Sequence, residues 1–286
     1  MAPAITSRLH RAPERDGNRF RLISDAPEFF GRMLATIEAS RHYVLAEFYL
    51  AASGRIADRF VAAFVGAAGR GVRVFVLLDG FGARGLGEAE RARLRSAGVA
   101  LVLFNAISWR GFPRQFVRDH RKLLLVDGRV GFTGGVGLMD AFDPIGEAVA
   151  PWHDCMVEIE GPVLEDWQSL FAKTWRRSAR EPLGLPRLHC APLVPGERGR
   201  LAASAGLETK DLGSAVLAHI RRARVRVWIA TAYFWPSQRL RRALRQAAER
   251  GVDVRLVLTG AHTDAPALRS VSRLFYSRLL ASGAVI

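Results

Sequence analysis

One stretch of the chain occurs twice, and this repeat constrains the fold more than any other feature. Tyr43-Val-Leu-Ala-Glu-Phe-Tyr49 returns as Val227-Trp-Ile-Ala-Thr-Ala-Tyr233, and Ala67-Ala-Gly-Arg-Gly-Val-Arg-Val74 returns as Ala247-Ala-Glu-Arg-Gly-Val-Asp-Val254. Leu78-Asp-Gly80 reappears as Leu258-Thr-Gly260, and Ser96-Ala-Gly98 resembles Ala281-Ser-Gly283. The offset stays at about 180–185 residues throughout, so a structural unit is duplicated.

Residues 27–38, 56–68 and 87–96 have helical spacing of apolar side chains, while 43–50, 72–78 and 99–104 are short apolar runs of buried-strand type. Helices alternating with such strands predict an α/β fold with a largely parallel sheet. The expected organisation is an irregular tail over 1–19, a first lobe over 20–181, a Pro/Gly-rich linker over 182–208 and a second lobe over 209–286. The first lobe continues past Gly98 into a segment around His120, whereas the second copy reaches Ile286 before that counterpart. The second lobe is therefore expected to be incomplete.

Composition limits the partners. The net charge of +15 favours polyanions, either nucleic acid or a membrane rich in anionic lipid, although an Arg-rich composition alone would raise it. The two cysteines, Cys155 and Cys190, form no CxxC and belong to no His/Cys cluster, which argues against a disulfide framework or structural zinc and fits a reducing compartment. No apolar run approaches the roughly 18 residues of a membrane span, and residues 1–8 lack a signal-peptide core. Membrane contact is expected from the side.

The segment carrying chemistry is His120-Arg-Lys-Leu-Leu-Leu-Val-Asp-Gly-Arg-Val-Gly-Phe-Thr-Gly-Gly135. On a strand, His120 and Lys122 project from one face. Asp127-Gly128 signals a hairpin turn, with Arg129–Thr133 returning as the partner strand. A neutral imidazole can attack phosphorus while an ammonium neutralises non-bridging oxygens, so the pair suits a phosphodiester. Lysine occurs at only three of the 42 basic positions, which makes its placement two residues after a histidine more telling.

His120-x-Lys122-x4-Asp127-x6-Gly134-Gly135 resembles the HxKx4D motif with trailing glycines of the phospholipase D superfamily. Leu77–Gly82, Trp152–Pro162 and Ala230–Pro236 are similar to bacterial cardiolipin synthases without N-terminal membrane spans. The resemblance implies two lobes of sheet flanked by helices, related by a pseudo-two-fold axis, each supplying one motif, with no metal or other cofactor. It implies His120 as a nucleophile forming a phosphohistidine, Lys122 as the phosphate-binding lysine, Asp127 as the motif aspartate in a turn-fixing role, and Asp154 as the carboxylate orienting the histidine. Thr133, Gly134, Gly135 and Asp79 are the candidate substrate contacts, Asp79 being weighed as a cleft-rim residue against a capping role. Gly137 stands where many family members carry Asn, and no second HxK follows Lys122. By the repeat offset it would fall roughly 20 residues beyond Ile286, so the chain is expected to be truncated.

The implied partners are a phosphatidylglycerol-like anionic phospholipid and the membrane surface, with nucleic acid disfavoured and a cytoplasmic, peripheral location on the inner face of the membrane. Two other functions compete: a phosphodiesterase of the same fold acting on lipid or nucleic acid, and a non-catalytic element binding anionic membranes. Gly80-Phe-Gly-Ala-Arg-Gly85 matches a dinucleotide-binding spacing, but its repeat copy lacks the glycines and no acidic residue ends a strand about 20 residues on. Residues 108–118 interleave aromatics with arginines beside the reactive segment, a pattern that suits a lipid-facing loop, a stack on single-stranded nucleic acid, or a partly packed loop with solvated arginines. Residues 239–250 form a basic amphipathic pattern, expected as a sheet-covering helix. Glu47, inside an apolar strand, is expected either in a buried pair or as a site residue, the structural role being favoured because the sequence alignment pairs it with Thr231.

Overall fold

The computed structural model describes residues 12–106, 117–143, 145, 151–204, 210–260, 263 and 265–286. The aromatic–arginine loop, apart from Val117 and Arg118, lies outside these, as do His262 and Asp264. The chain divides between Leu201 and Glu208 into two compact units.

The first unit carries β1 (Arg15–Ile23), α1 (Ala26–Glu38), β2 (Tyr43–Phe48), α2 (Arg55–Gly69), β3 (Arg73–Asp79), α3 (Glu88–Ser96), β4 (Ala100–Phe104), β5 (Leu123–Val126), β6 (Val130–Gly134), β7 (Met156–Glu160), α4 (Leu164–Ala179) and β8 (Glu197–Gly199). One sheet takes the order β4-β3-β2-β5-β6-β7-β1-β8. Helix α1 begins where the Asp25 carboxylate accepts the amide of Glu28 at 3.0 Å, and it buries Phe29, Phe30, Met33, Leu34 and Ile37. Those side chains meet Phe60 and Phe64 of α2 over Val44, Ala46 and Phe48 of β2. Helix α4 covers the opposite face, where Trp175 packs edge-on to Phe75 at 5.2 Å and Gln168 Oε1 accepts the Tyr43 hydroxyl. Every residue of β2 is buried, as befits a central strand.

Three expectations change. In this sheet only β2–β3–β4 are parallel among the described residues; β2–β5, β5–β6, β6–β7, β7–β1 and β1–β8 are antiparallel. β5 and β6 are joined by a two-residue hairpin rather than a helical crossover, and a hairpin can only reverse direction. Residues 15–19 belong to β1 rather than to an irregular tail, because their outward side chains pair with charges on neighbours (Arg15 with Glu165 and Asp166). The linker is also partly structured: β8 extends the sheet beside β1, and Leu183 and Leu201 are buried.

The second unit contains α5 (Lys210–Arg222), β9 (Arg226–Thr231), α6 (Gln238–Glu249), β10 (Asp253–Leu258), α7 (Pro266–Arg273) and α8 (Tyr276–Leu280). Its core gathers Ile220, Val227, Leu244, Val254, Leu256 and Leu279. The repeat is visible in geometry. The amide of Val72 donates to Ala67 O at 3.1 Å and that of Val252 to Ala247 O at 3.1 Å, with Gly71 and Gly251 at φ 84° and 82°. Parallel pairing sets Val44 opposite Val74, and Val227 opposite Val254. Val227 is therefore the counterpart of Val44, one residue away from the sequence alignment, and Glu47 corresponds to Ala230 rather than Thr231. A one-residue change exchanges the two faces of a strand. Trp228 thus stands where Leu45 stands, on the face that α4 covers in the first unit, and it is 58% exposed.

Candidate active site

The β5–β6 hairpin builds the site. Asp127 and Gly128 adopt φ 53° and 65°, and the Arg129 amide donates to Val126 O at 2.9 Å, closing the expected two-residue turn. The Asp127 carboxylate accepts the amides of Arg41, His42 and Tyr43, each at 2.8 Å. It ties the entry of β2 to the hairpin at the opposite end of β5 from His120.

His120 and Lys122 precede β5 in an extended segment that joins no strand ladder, although the sequence pattern placed them on the strand. They still project together. Lys122 Nζ lies 3.0 Å from His120 Nδ1 and 3.3 Å from Nε2, and donates to the His120 carbonyl at 2.8 Å. Thr133 Oγ1 donates to Lys122 O at 2.8 Å, so it fixes the lysine backbone instead of facing a ligand. Tyr49 was not anticipated: its ring centroid is 4.4 Å from that of His120, and Lys122 Nζ is 5.2 Å from its centre.

Burial sets the protonation states. It depresses the His120 pKa, the adjacent Lys122 charge adds to this, and Asp79 and Asp119 oppose it. The imidazole is therefore largely neutral at pH 7. Burial also lowers Lys122 to about 8, against the pull of Asp154, Asp119 and Asp79. Lys122 remains largely an ammonium at pH 7, ready to be stabilised by an anion.

The glycines and carboxylates take different places from those expected. A Cβ on Gly135 would fall 2.0 Å from Asp154 Oδ2, and one on Gly134 would fall 2.2 Å from Cys155 O. Here the glycine pair admits a carboxylate. Among the described residues no hydrogen bond joins Asp154 to His120; its carboxylate accepts the Cys155 amide at 2.7 Å and acts electrostatically on Lys122. Gly137 follows the same logic, since a Cβ there would meet Leu50 Cβ at 2.6 Å. Asp79 is not at a rim. It is 1% exposed and accepts the amides of Phe81, Gly82 and Asp119 at 2.9, 3.0 and 2.9 Å, with Arg118 at 3.5 Å. All its acceptor capacity goes into capping β3 and anchoring the segment that leads to His120. Gly82 in the dinucleotide-like run packs against Tyr49, where a Cβ would meet the Tyr49 carbonyl oxygen. Glu47 pairs with Arg121 at 2.7 Å, the buried pair expected of it.

Residues 216–286 match a family described as "Cardiolipin synthase, PLD-like domain". Cardiolipin synthase A of Pseudomonas putida (strain W619) is 33% identical over 282 residues, 96% of this chain and 58% of that protein. Cardiolipin synthase A of Pseudomonas aeruginosa (strain LESB58) is 33% identical over 259 residues, 88% of this chain and 51% of its own length. The chain is thus similar along most of its length to these cardiolipin synthases, and its residues 216–286 match a PLD-like domain. It spans just over half the length of these curated relatives. In fold, it is similar to phosphatidylserine synthase of Haemophilus influenzae Rd KW20, with a TM-score of 0.58 at 11% identity over 93% of this chain and 71% of that one.

Proposed function

We propose that this chain supplies one catalytic half-site of a phosphatidyltransferase of cardiolipin synthase type. The observation that carries the reading is a neutral imidazole held 3.0 Å from a buried ammonium. In the first step a ring nitrogen of His120 attacks the phosphorus of an anionic phospholipid such as phosphatidylglycerol. The N–P bond forms as the P–O bond to glycerol breaks, and glycerol leaves with a proton from a general acid. Lys122 neutralises the non-bridging oxygens as charge develops, and Asp154 keeps that lysine charged. In the second step the hydroxyl of another phosphatidylglycerol attacks phosphorus while its proton returns to the group that protonated glycerol, the N–P bond breaks, and cardiolipin and free His120 result. The sequence contains a single HxK, at 120–122, so the second proton-transfer group is expected from another half-site. Such groups contribute roughly 10² to 10⁴ in rate.

The charge of +15 supports attraction to an anionic surface, and no helix among the described residues is long and apolar enough to cross a membrane. Peripheral attachment at the inner face of the cell membrane follows from this reading.

The test incubates the 286-residue chain with phosphatidylglycerol vesicles, follows cardiolipin and glycerol by mass spectrometry, and probes His120 for an acid-labile phosphoramidate. Labelled single- and double-stranded DNA is assayed in parallel. The expected result is a His120-linked phosphatidyl group, little multiple turnover, and intact DNA. His120→Ala removes the adduct. Cleaved DNA with unchanged lipid would overturn the reading in favour of a nuclease, and rapid multiple turnover would overturn the half-site assignment.

A further inference from the structure

The residue between the reactive pair points the other way. Side chains alternate along an extended segment, so Arg121 faces α4 while His120 and Lys122 face the opposite side of the sheet. Its guanidinium donates to Glu47 Oε1 from Nε at 3.1 Å and from Nη2 at 2.7 Å. It also donates to Asp119 Oδ2 at 3.1 Å and to Thr174 Oγ1 of α4 at 2.6 Å. Glu47 and Asp119 are 1% and 6% exposed, so two carboxylates converge on one guanidinium out of solvent. Burial holds the Glu47 carboxyl well above its ordinary pKa, against the pull of Arg121.

Burying such a group costs several kcal/mol per ion, and apolar residues of similar volume often serve stability as well or better. What the cluster provides is directional. Residues 119–122 join no strand ladder, and their backbone is tied down at Asp119, whose amide donates to Asp79, and at Lys122, whose carbonyl accepts from Thr133. Between these ties the planar fork of Arg121 fixes the segment's rotation about its own axis, and that rotation aims its two neighbours.

We propose that Arg121, clamped by Glu47 and Asp119, is the positioning residue of the half-site, holding the 119–122 segment so that His120 and Lys122 converge on the opposite face. This rests on the half-site reading above. Arg121 touches no substrate and acts only through its neighbours.

The test uses the 286-residue chain with Glu47→Gln and Arg121→Lys, both of which keep side-chain bulk, and Arg121→Lys also keeps the charge. Arg15→Gln serves as a stability control, because Arg15 pairs with Glu165 and Asp166 in a separate cluster. Side-chain NMR follows the Lys122 titration, and the His120 ring resonances follow binding of inorganic phosphate. In the clamped chain burial lowers the Lys122 pKa to about 8. Both clamp variants, folded by near-ultraviolet circular dichroism, are expected to return Lys122 toward its ordinary value. They are also expected to weaken phosphate binding on the order of tenfold, as misplacement of a reacting pair does. Arg15→Gln is expected to lower the melting temperature and change neither readout. An unchanged Lys122 titration in both clamp variants would overturn the clamp. A clamp-dependent titration with His120 indifferent to phosphate in the unaltered chain would support the clamp and overturn the half-site reading instead.

Discussion

At the residue scale, Lys122 shows how function and stability oppose each other. The side chain is 3% exposed, and its pKa falls from 10.5 to about 8 because burial penalises the charged form. Between about pH 8 and 10.5 the unfolded chain therefore binds more protons than the folded one, and stability rises with pH across that window. Below pH 8 the full cost of the buried charge is present. Lys122→Met removes that charge at similar volume. It is expected to leave the fold unchanged or more stable by up to about 2 kcal/mol at pH 7, to abolish the alkaline rise, and to eliminate the response of His120 to phosphate. Urea unfolding at pH 7, 8.5 and 10 measures this; a variant with the same alkaline rise would show that another group produces it. The HxK spacing made the pair legible in the sequence, because alternation along an extended chain follows from residue numbers alone. The partners were not legible. Asp79, Thr133 and Asp154 all lie near the segment, but whether such a group faces a ligand, a backbone amide or a lysine depends on long-range packing. The capping of Asp79 by Phe81 and Gly82 was the local part, and its amide bond from Asp119 the distant one.

At the scale of elements, the hairpin turn is both a fold signal and a strut. Asp-Gly between apolar runs announced β5 and β6, since both residues must take positive φ and these two tolerate it. The sequence carried no indication that the Asp127 carboxylate would collect three amides from residues 41–43. Asp127→Ala leaves those donors unsatisfied and forces alanine into positive φ. The expected loss is about 2–4 kcal/mol in chemical unfolding, given roughly 1–3 kcal/mol for each stranded buried group and partial rescue by water at the exposed edge. Asp127→Asn tolerates the same φ and retains one acceptor oxygen, so it should lose about half as much. Equal stability for all three chains would remove the turn-fixing role. The helices and parallel strands of the repeat were read correctly because period 3.6 and short apolar runs are local signals. Within the antiparallel half the β5–β6 hairpin was read from Asp127-Gly128, but the directions of β7 and β1 were not, because their composition looks no different from that of parallel strands and their pairing is fixed by long-range packing.

At the scale of the whole molecule, the two copies of the repeat are equivalent in backbone geometry but unequal in burial. In the first unit, β2 pairs on both edges and is covered on both faces, by α1 and α2 on one side and α4 on the other. In the second, β9 pairs only with β10 among the described residues, and Trp228 and Val257 on the outer face are 58% and 69% exposed. Trp228 compensates in part: Arg226 and Arg255 lie 5.1 and 5.4 Å from its ring, and its indole nitrogen donates to Asp253 at 2.9 Å. Such exposed contacts contribute little, on the order of 0.5–1 kcal/mol each. A two-stranded sheet with one bare face is marginal without further cover. Local opening of the second unit should therefore cost less than global unfolding, so the chain should unfold in two steps. Hydrogen exchange followed by mass spectrometry tests this directly. Amides of β2 are expected to exchange last, in step with global unfolding, and those of β9 and β10 earlier by at least a factor of about 10², which corresponds to roughly 3 kcal/mol of separate opening energy. Peptides from Tyr43–Phe48 and Arg226–Thr231 that exchange at one common rate, across denaturant concentrations, would mean that the second unit is held as firmly as the first and that its bare face costs it nothing.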